Sequence, residues 1–246
     1  MAHPLDGIWA KLNRADENIG NLNSEIVKLL GEKLYPILKN LDNESFQKAV
    51  DDHSSVEVPL RFSILAGEIV HQMRSSLDHL AWLLSSESYR ESDGKRIEFP
   101  VMVETPDKGE LARYEKKTNG ISSTSARALV KLYQPCYGPD PLNSPLTIVH
   151  DMDRFDKHRE LVLVVPAFKL HFRYDDMLAY IAHKKAEAPA DVLGELERAV
   201  QMNAQLTRQI AFQHFGTREP EPVIPGLHAL LEAVRSVIEA FEPEFK

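Results

Sequence analysis

Apolar residues recur at three- and four-residue steps through much of the first half of the chain. Ile8, Leu12, Ile19, Leu22, Ile26, Leu29, Leu30 and Leu34 form one stripe, which predicts a helix over 8–41. Gly7 and Gly20 weaken it, and Pro36 is expected to kink or end it. A polar connection over 42–55 leads to a second helix, opened by Pro59 and running to about residue 86. In it Ala66, Ile69, Val70, Met73, Leu77, Leu80 and Leu84 gather on one side. Glu68, His71, Arg74, Ser75, Asp78 and His79 gather on the other, within an arc of about 140°.

Further along, 85–96 reads as a polar loop turning at Asp93-Gly94, and 97–103 as a short extended run interrupted by Pro100. Residues 104–120 are polar. A short helix is expected over 122–133, capped by Ser and Thr and stopped before Pro135. The proline-rich stretch 135–145 predicts a rigid loop, and 146–160 another helix. The pattern then changes: 161–165 and 168–174 look like strands joined as a hairpin at Pro166-Ala167. Residues 206–215 could form a further strand, whereas 192–206 fits a helix by period alone. After a proline-rich loop over 218–225, Leu227, Leu230, Leu231, Val234, Val237, Ile238 and Phe241 mark a last amphipathic helix.

The expected fold is therefore α+β and mainly α: a helical bundle with a small antiparallel sheet inserted before the last helix. One domain is expected, with a helical core over 1–160 and 225–246 and a β-containing insertion over 161–224.

Composition narrows the function classes. The formal charge of -8 argues against extended non-specific binding to DNA and counts mildly against an RNA substrate, since both rely on Lys and Arg at phosphates. The longest apolar run, 161–168, is broken by Pro166 and is too short to span a membrane. A single cysteine, Cys136, permits no internal disulfide. With no charged-then-apolar leader pattern at the N-terminus, a cytoplasmic location is expected. The Gly-rich phosphate loop, the G-x-S-x-G elbow, paired CxxC and H-E-x-x-H are all missing, and no cofactor is implied.

The chemistry concentrates on the polar side of the second helix. Exposed helix faces usually carry Lys, Glu and Gln; this one carries two imidazoles, a guanidinium, a hydroxyl and two carboxylates, with Trp82 in the same arc. A Trp there predicts a covered face, where charge must be paired. Three readings follow. Arg74 and Asp78, four residues apart, could form a structural bridge beside hydrogen-bonded histidines. His79 could be an acid/base or orienting group, with Arg74 clamping an anion. His71, Asp78 and His79 could instead join His150 or His158 in a metal-dependent hydrolase, although histidines eight apart diverge by about 80° on a helix.

A second constellation lies in 150–160. His150, Asp153 and Lys157 share one helix side, and Asp156, Lys157, His158 and Arg159 close the helix. The bland reading is a solvated end complementing the helix dipole. The sharper one docks this cluster on the polar face of the second helix, completing its charge pairing.

The blocks Ala66-Gly67-Glu68-x-x-His71-x-x-Arg74-Ser75-x-Leu77-Asp78-His79-Leu80-Ala81-Trp82, Phe99-Pro100, Gln134-Pro135 and Asp156-Lys157-His158-Arg159 together resemble a family of bacterial proteins of unknown function. That resemblance implies that the two polar clusters form one unit, and it favours strands within 161–215. Arg74-Ser75-x-x-x-His79 also resembles the helical HEPN superfamily, many of whose members are metal-independent ribonucleases. This second resemblance implies a homodimer in which Arg74 contacts RNA phosphate and His79 acts on the ribose 2′-hydroxyl, with Asp78 and Ser75 in support. Such a protein would be a toxin or defence effector. The catalytic candidates are thus Arg74, His79 and Asp78. The binding candidates are Ser75, His71, Glu68, Asp156, Lys157, His158 and Arg159. The alternative is a non-catalytic protein whose polar cluster holds the fold or binds a small anion.

Overall fold

Helix α1 (Asp6–Leu30) is set by Leu5, Ile8, Leu12, Ala15, Ile19 and Leu22, all fully buried and spaced to stack on one face. It ends well short of residue 41 for a local reason. Gly31 sits at φ 73°, a left-handed conformation that other residues resist, and its N–H closes on the Val27 carbonyl at 2.9 Å. The computed structural model describes residues 3–31, 57–105, 108–158, 164–172, 204–213 and 221–246. Pro36, the polar connection 42–55 and the ambiguous 192–203 lie outside the described residues.

Helix α2 (Leu60–Leu84) is the expected second helix, with Ala66, Ile69, Val70, Met73, Leu77 and Leu80 buried. One predicted loop and one polar stretch contain helices instead. The stretch after α2 forms α3 (Glu87–Asp93) and a 3-10 turn over Gly94–Arg96. Here tertiary contact outweighs turn chemistry: the Arg90 guanidinium lies 5.9 Å over the Trp82 ring while its Nε donates to the Ser85 carbonyl at 2.8 Å. The polar stretch beyond it contains α4 (Lys108–Thr118). That helix has no wide apolar stripe to betray it, but is rich in good helix formers, with Lys116 and Lys117 complementing its C-terminal dipole.

Helix α5 (Thr124–Leu132) begins as predicted, the Ser123 side chain accepting from the Ala126 N–H at 3.2 Å. A 3-10 turn over Pro135–Tyr137 leads towards α6 (Pro145–His158). Strand β1 (Val164–Phe172) runs straight through Pro166-Ala167, where a hairpin turn was expected. As β1 is an edge strand of the sheet, the N–H missing at Pro166 is tolerable there. It pairs with β2 (Ala204–Phe212) in a small antiparallel sheet. The two-residue β3 (Glu221–Pro222) precedes α7 (Val223–Phe241), so the predicted 218–225 loop yields to the helix at Val223.

The chain divides into two compact units. One is Met1–Asn23 with Pro59–Leu163 and Phe212–Lys246; the other is Ser24–Val58 with Val164–Ala211. In the first, α2, α6 and α7 pack pairwise, and α5 also packs on α7. Their buried aliphatic and aromatic side chains each contribute about 1.5–3 kcal/mol relative to exposure. Polar contacts tie helix α1 to this core, among them Lys11 Nζ donating to Ser75 Oγ at 2.8 Å and Arg235 Nη2 to Asp16 Oδ2 at 3.0 Å. No described helix is long and apolar enough to cross a membrane.

Candidate functional site

Arg74 lies at the centre of the polar face of α2 and is only 3% exposed. Its Nη2 donates to Asp78 Oδ1, one turn on, and to the carbonyl of Phe99, each at 2.7 Å. Asp78 Oδ1 also accepts from the Phe99 N–H at 3.0 Å. The backbone of Phe99 is thus held on both its polar groups by one ion pair on α2. Burial raises the Asp78 carboxyl above its ordinary range and outweighs the opposing pull of Arg74 and of the Phe99 N–H.

The segment after Phe99 is fixed in the same way by Gln134, which is buried. Gln134 Nε2 donates to the carbonyls of Pro100 and Val130, at 3.0 and 2.9 Å, while its Oε1 accepts from the Met102 N–H at 3.0 Å. Three of the four sequence blocks are therefore linked by direct hydrogen bonds.

The fourth block reaches α2 from α6. His71 Nδ1 is hydrogen-bonded to Asp153 Oδ1 at 2.8 Å, and Lys157 Nζ donates to Asp153 Oδ2 at the same distance. One turn below, Asp156 packs its carboxylate against Gly67, and its buried Oδ1 has no hydrogen-bond partner. The second constellation docks on α2 through Asp153, which answers His71 rather than Arg74, the latter being paired within α2 by Asp78. A further rim surrounds Arg74: Glu98 pairs with Lys117 at the end of α4, and His150 of α6 lies within the field of both cations. Burial would raise Glu98, but Lys117 foremost, then Arg74 and His150, holds it below the usual carboxylate range. Burial lowers His150, and Arg74, Lys117 and Arg154 lower it further against Asp151.

His79 is placed elsewhere. Its ring faces α1, where a Cβ on Gly7 would lie 3.3 Å from Cε1, and its buried Nδ1 has no hydrogen-bond partner. Burial and then Lys11 lower its basicity. Ser75, bonded to Lys11, lies on this same side. Arg74 and His79 thus belong to separate local environments, one beneath Phe99 and one against α1.

Of the remaining binding candidates, Glu68 is exposed and Lys157 half-exposed on Asp153. His158 is described in backbone only, as the last residue of α6, and Arg159 lies outside the described residues. Trp82 departs from expectation. It is 38% exposed, with Arg90 over its ring and Gly94 at one edge, so the polar face is closed mainly by charge pairing rather than by a buried indole. Among the described residues no three His, Cys, Asp or Glu side chains come together to hold a metal ion. His71 turns to Asp153, Asp78 to Arg74 and Phe99, and His79 to α1, so the proposed ligand set does not converge.

Glu98, Lys117 and the bracing role of Gln134 escaped the sequence reading. Proximity of Glu98 to Phe99-Pro100, and of Gln134 to Pro135, was the one signal available for two of them. Cys136 is half-buried, its thiol raised by burial. A cleft of about 380 Å³ lined by Leu132, Tyr133, Pro135, Tyr137 and Pro139 shares only Gln134 with the polar network. No family model matches the chain, and no curated protein or solved structure matches it either.

Proposed function

We propose that this is a non-catalytic helical protein whose polar network is an internal lock, joining α2 to α6 and to the Phe99–Met102 backbone. The observation that carries this reading is the commitment of Arg74. Its guanidinium is buried, and one of its nitrogens is spent on both Asp78 and a main-chain carbonyl. A bidentate phosphate clamp would need Nη2 as well, and so would have to give up those bonds inside the protein, where an unpaired charge is costly. The separation of His79 from Arg74 supports the same reading, since acid/base catalysis needs both groups within reach of one substrate.

A metal-independent ribonuclease is the second reading, favoured by one feature. His79 is held towards its neutral form with a nitrogen unpaired, as a general base requires. It would use Arg74 and His79 from two copies of the chain.

The test is incubation of the full chain with a mixed RNA pool in EDTA, beside a folded His79→Ala variant. The lock reading expects intact RNA from both, together with a lowered melting temperature for Asp78→Ala. Cleavage by the wild type that the His79→Ala variant lacks would overturn it in favour of the nuclease.

A further inference from the structure

The cleft of about 380 Å³ lies between the last residues of α5 and the first of α6. Its volume falls in the range of roughly 300–1,000 Å³ found for small-ligand sites. Leu132, at its edge, is 71% exposed, more than any other large apolar side chain among the described residues, and Tyr137 in its wall is 51% exposed. Apolar surface is thus left in water around a cavity instead of being scattered singly.

The walls are set before a ligand arrives. Pro135 and Pro139 have fixed φ angles. The 3-10 turn that carries Tyr137 closes through the Gly138 N–H on the Pro135 carbonyl, and the Cys136 N–H pins it to the Met102 carbonyl, both at 2.8 Å. Tyr133 packs on Phe241 of α7, with ring centroids 6.4 Å apart. A site held in this way loses little freedom on binding.

Its chemistry favours a positive charge. The rings of Tyr133 and Tyr137 present electron-rich faces. Among the described residues that line the cleft, Asp140 carries the one charge, and its carboxylate is oriented by Asn143 Nδ2 at 3.1 and 3.0 Å. The chain already seats one ammonium on this surface, with Lys131 Nζ lying 5.7 Å over the Tyr137 ring. An anion would be repelled by Asp140. A bare metal ion would find a single carboxylate among prolines and aromatic rings, far fewer oxygens than it needs.

We propose that this cleft binds a quaternary ammonium group, with Tyr133, Tyr137 and Pro135 against its methyl groups and Asp140 answering its charge. Such a cation keeps its charge while exposing apolar methyl surface, which suits aromatic walls beside one carboxylate. The site goes beyond the lock, and its readout is ligand binding, whatever the fate of RNA.

The experiment is calorimetric titration of the full chain at low ionic strength with choline chloride and with a short peptide carrying trimethylated lysine. The uncharged alcohol in which carbon replaces the choline nitrogen is titrated alongside. Wild type, Tyr137→Leu, Asp140→Asn and Lys131→Gln are compared, with thermal melts to show that each is folded. Expected is saturable binding of one cation per chain, with the uncharged alcohol at least about tenfold weaker. Tyr137→Leu and Asp140→Asn should each bind at least about fivefold more weakly, because one loses the ring face and the other the charge. Lys131→Gln should bind as tightly as the wild type or more so, since the ring is freed of a competing ammonium. Tighter binding of choline would identify a free small molecule as the occupant, and tighter binding of the peptide a methylated side chain. No saturable heat with either cation, or equal binding of the uncharged alcohol, would overturn the proposal. So would undiminished binding by both Tyr137→Leu and Asp140→Asn.

Discussion

The carboxylate of Asp156 on α6 rests against the backbone of Gly67 on α2, so closely that a Cβ at residue 67 would lie 2.5 Å from Oδ1. Helix α2 lacks a side chain where this carboxylate of α6 lies against it. Gly67→Ala should therefore destabilise the protein by about 1–3 kcal/mol, although alanine is the better helix former. Asp156→Ala should be neutral or mildly stabilising, since it removes a buried oxygen that has no hydrogen-bond partner. Combining the two should restore most of the loss. Chemical denaturation of the four proteins measures the coupling, and strict additivity would show that the contact is not what makes Gly67 necessary.

The ion pair on α2 leads to a different contrast. Asp78→Ala strands a buried guanidinium on a single carbonyl, at a cost on the order of 3 kcal/mol. Asp78→Asn keeps an oxygen for both Arg74 and the Phe99 N–H and removes a carboxylate that burial already disfavours. It should cost about 1 kcal/mol or less. At a few degrees per kcal/mol, thermal melts should fall by roughly 6–12 °C for alanine and far less for asparagine. Equal falls would mean that the full negative charge, rather than the acceptor geometry, holds the segment.

Elements with a wide apolar stripe were legible in the sequence: α1 over most of its length, α2, α6 and α7 all lie where periodicity placed them. Helices α3 and α4 were not, because they bury little apolar surface and are stabilised by propensity, dipole and the Arg90–Trp82 contact. The hairpin expected at Pro166 failed because proline marks an edge as readily as a turn. At the site, the Arg74–Asp78 pair followed from helical spacing, and the approach of α6 to α2 from the concentration of charge on both their faces. What Arg74 and His79 each face did not. Side chains five positions apart diverge by roughly 140°, and only the neighbours of α2 decide whether one cavity can serve both.

Gln134 carries three hydrogen bonds and no charge, yet it braces the segment on which Arg74 and Asp78 close. Gln134→Leu has a similar volume but leaves the Met102 N–H and the Pro100 carbonyl without these partners in a buried place. A loss of about 2–4 kcal/mol is expected, from the unsatisfied backbone groups rather than from any cavity. Hydrogen exchange should show the Met102 amide opening far more readily in the variant while amides in α7 stay protected until global unfolding. Unchanged protection at Met102 would mean that the segment is held without Gln134, by the Arg74–Asp78 pair at Phe99 and the Cys136 N–H on the Met102 carbonyl.

Acid should weaken the fold through His150 and His79. Burial lowers both below their ordinary value of 6.5, aided by Arg74 at His150 and by Lys11 at His79. In the unfolded chain the same imidazoles titrate near 6.5, so below that pH the unfolded state binds more protons than the folded one. Stability from these groups is complete above about pH 6.5 and is lost as pH falls through their depressed folded values. Asp78 has the opposite sign. Its raised carboxyl favours the folded state below its ordinary 3.8, and that contribution is lost as pH rises through the folded value. The two effects oppose each other, so the part of the change between about pH 7.5 and about pH 5.5 that belongs to the histidines is read by replacing the imidazoles themselves. Urea unfolding of the wild type should show a lower free energy at the more acidic pH. The double variant His79→Gln/His150→Gln should flatten that difference, since glutamine carries no proton to gain. A double variant as acid-sensitive as the wild type would assign the sensitivity to groups other than these two imidazoles.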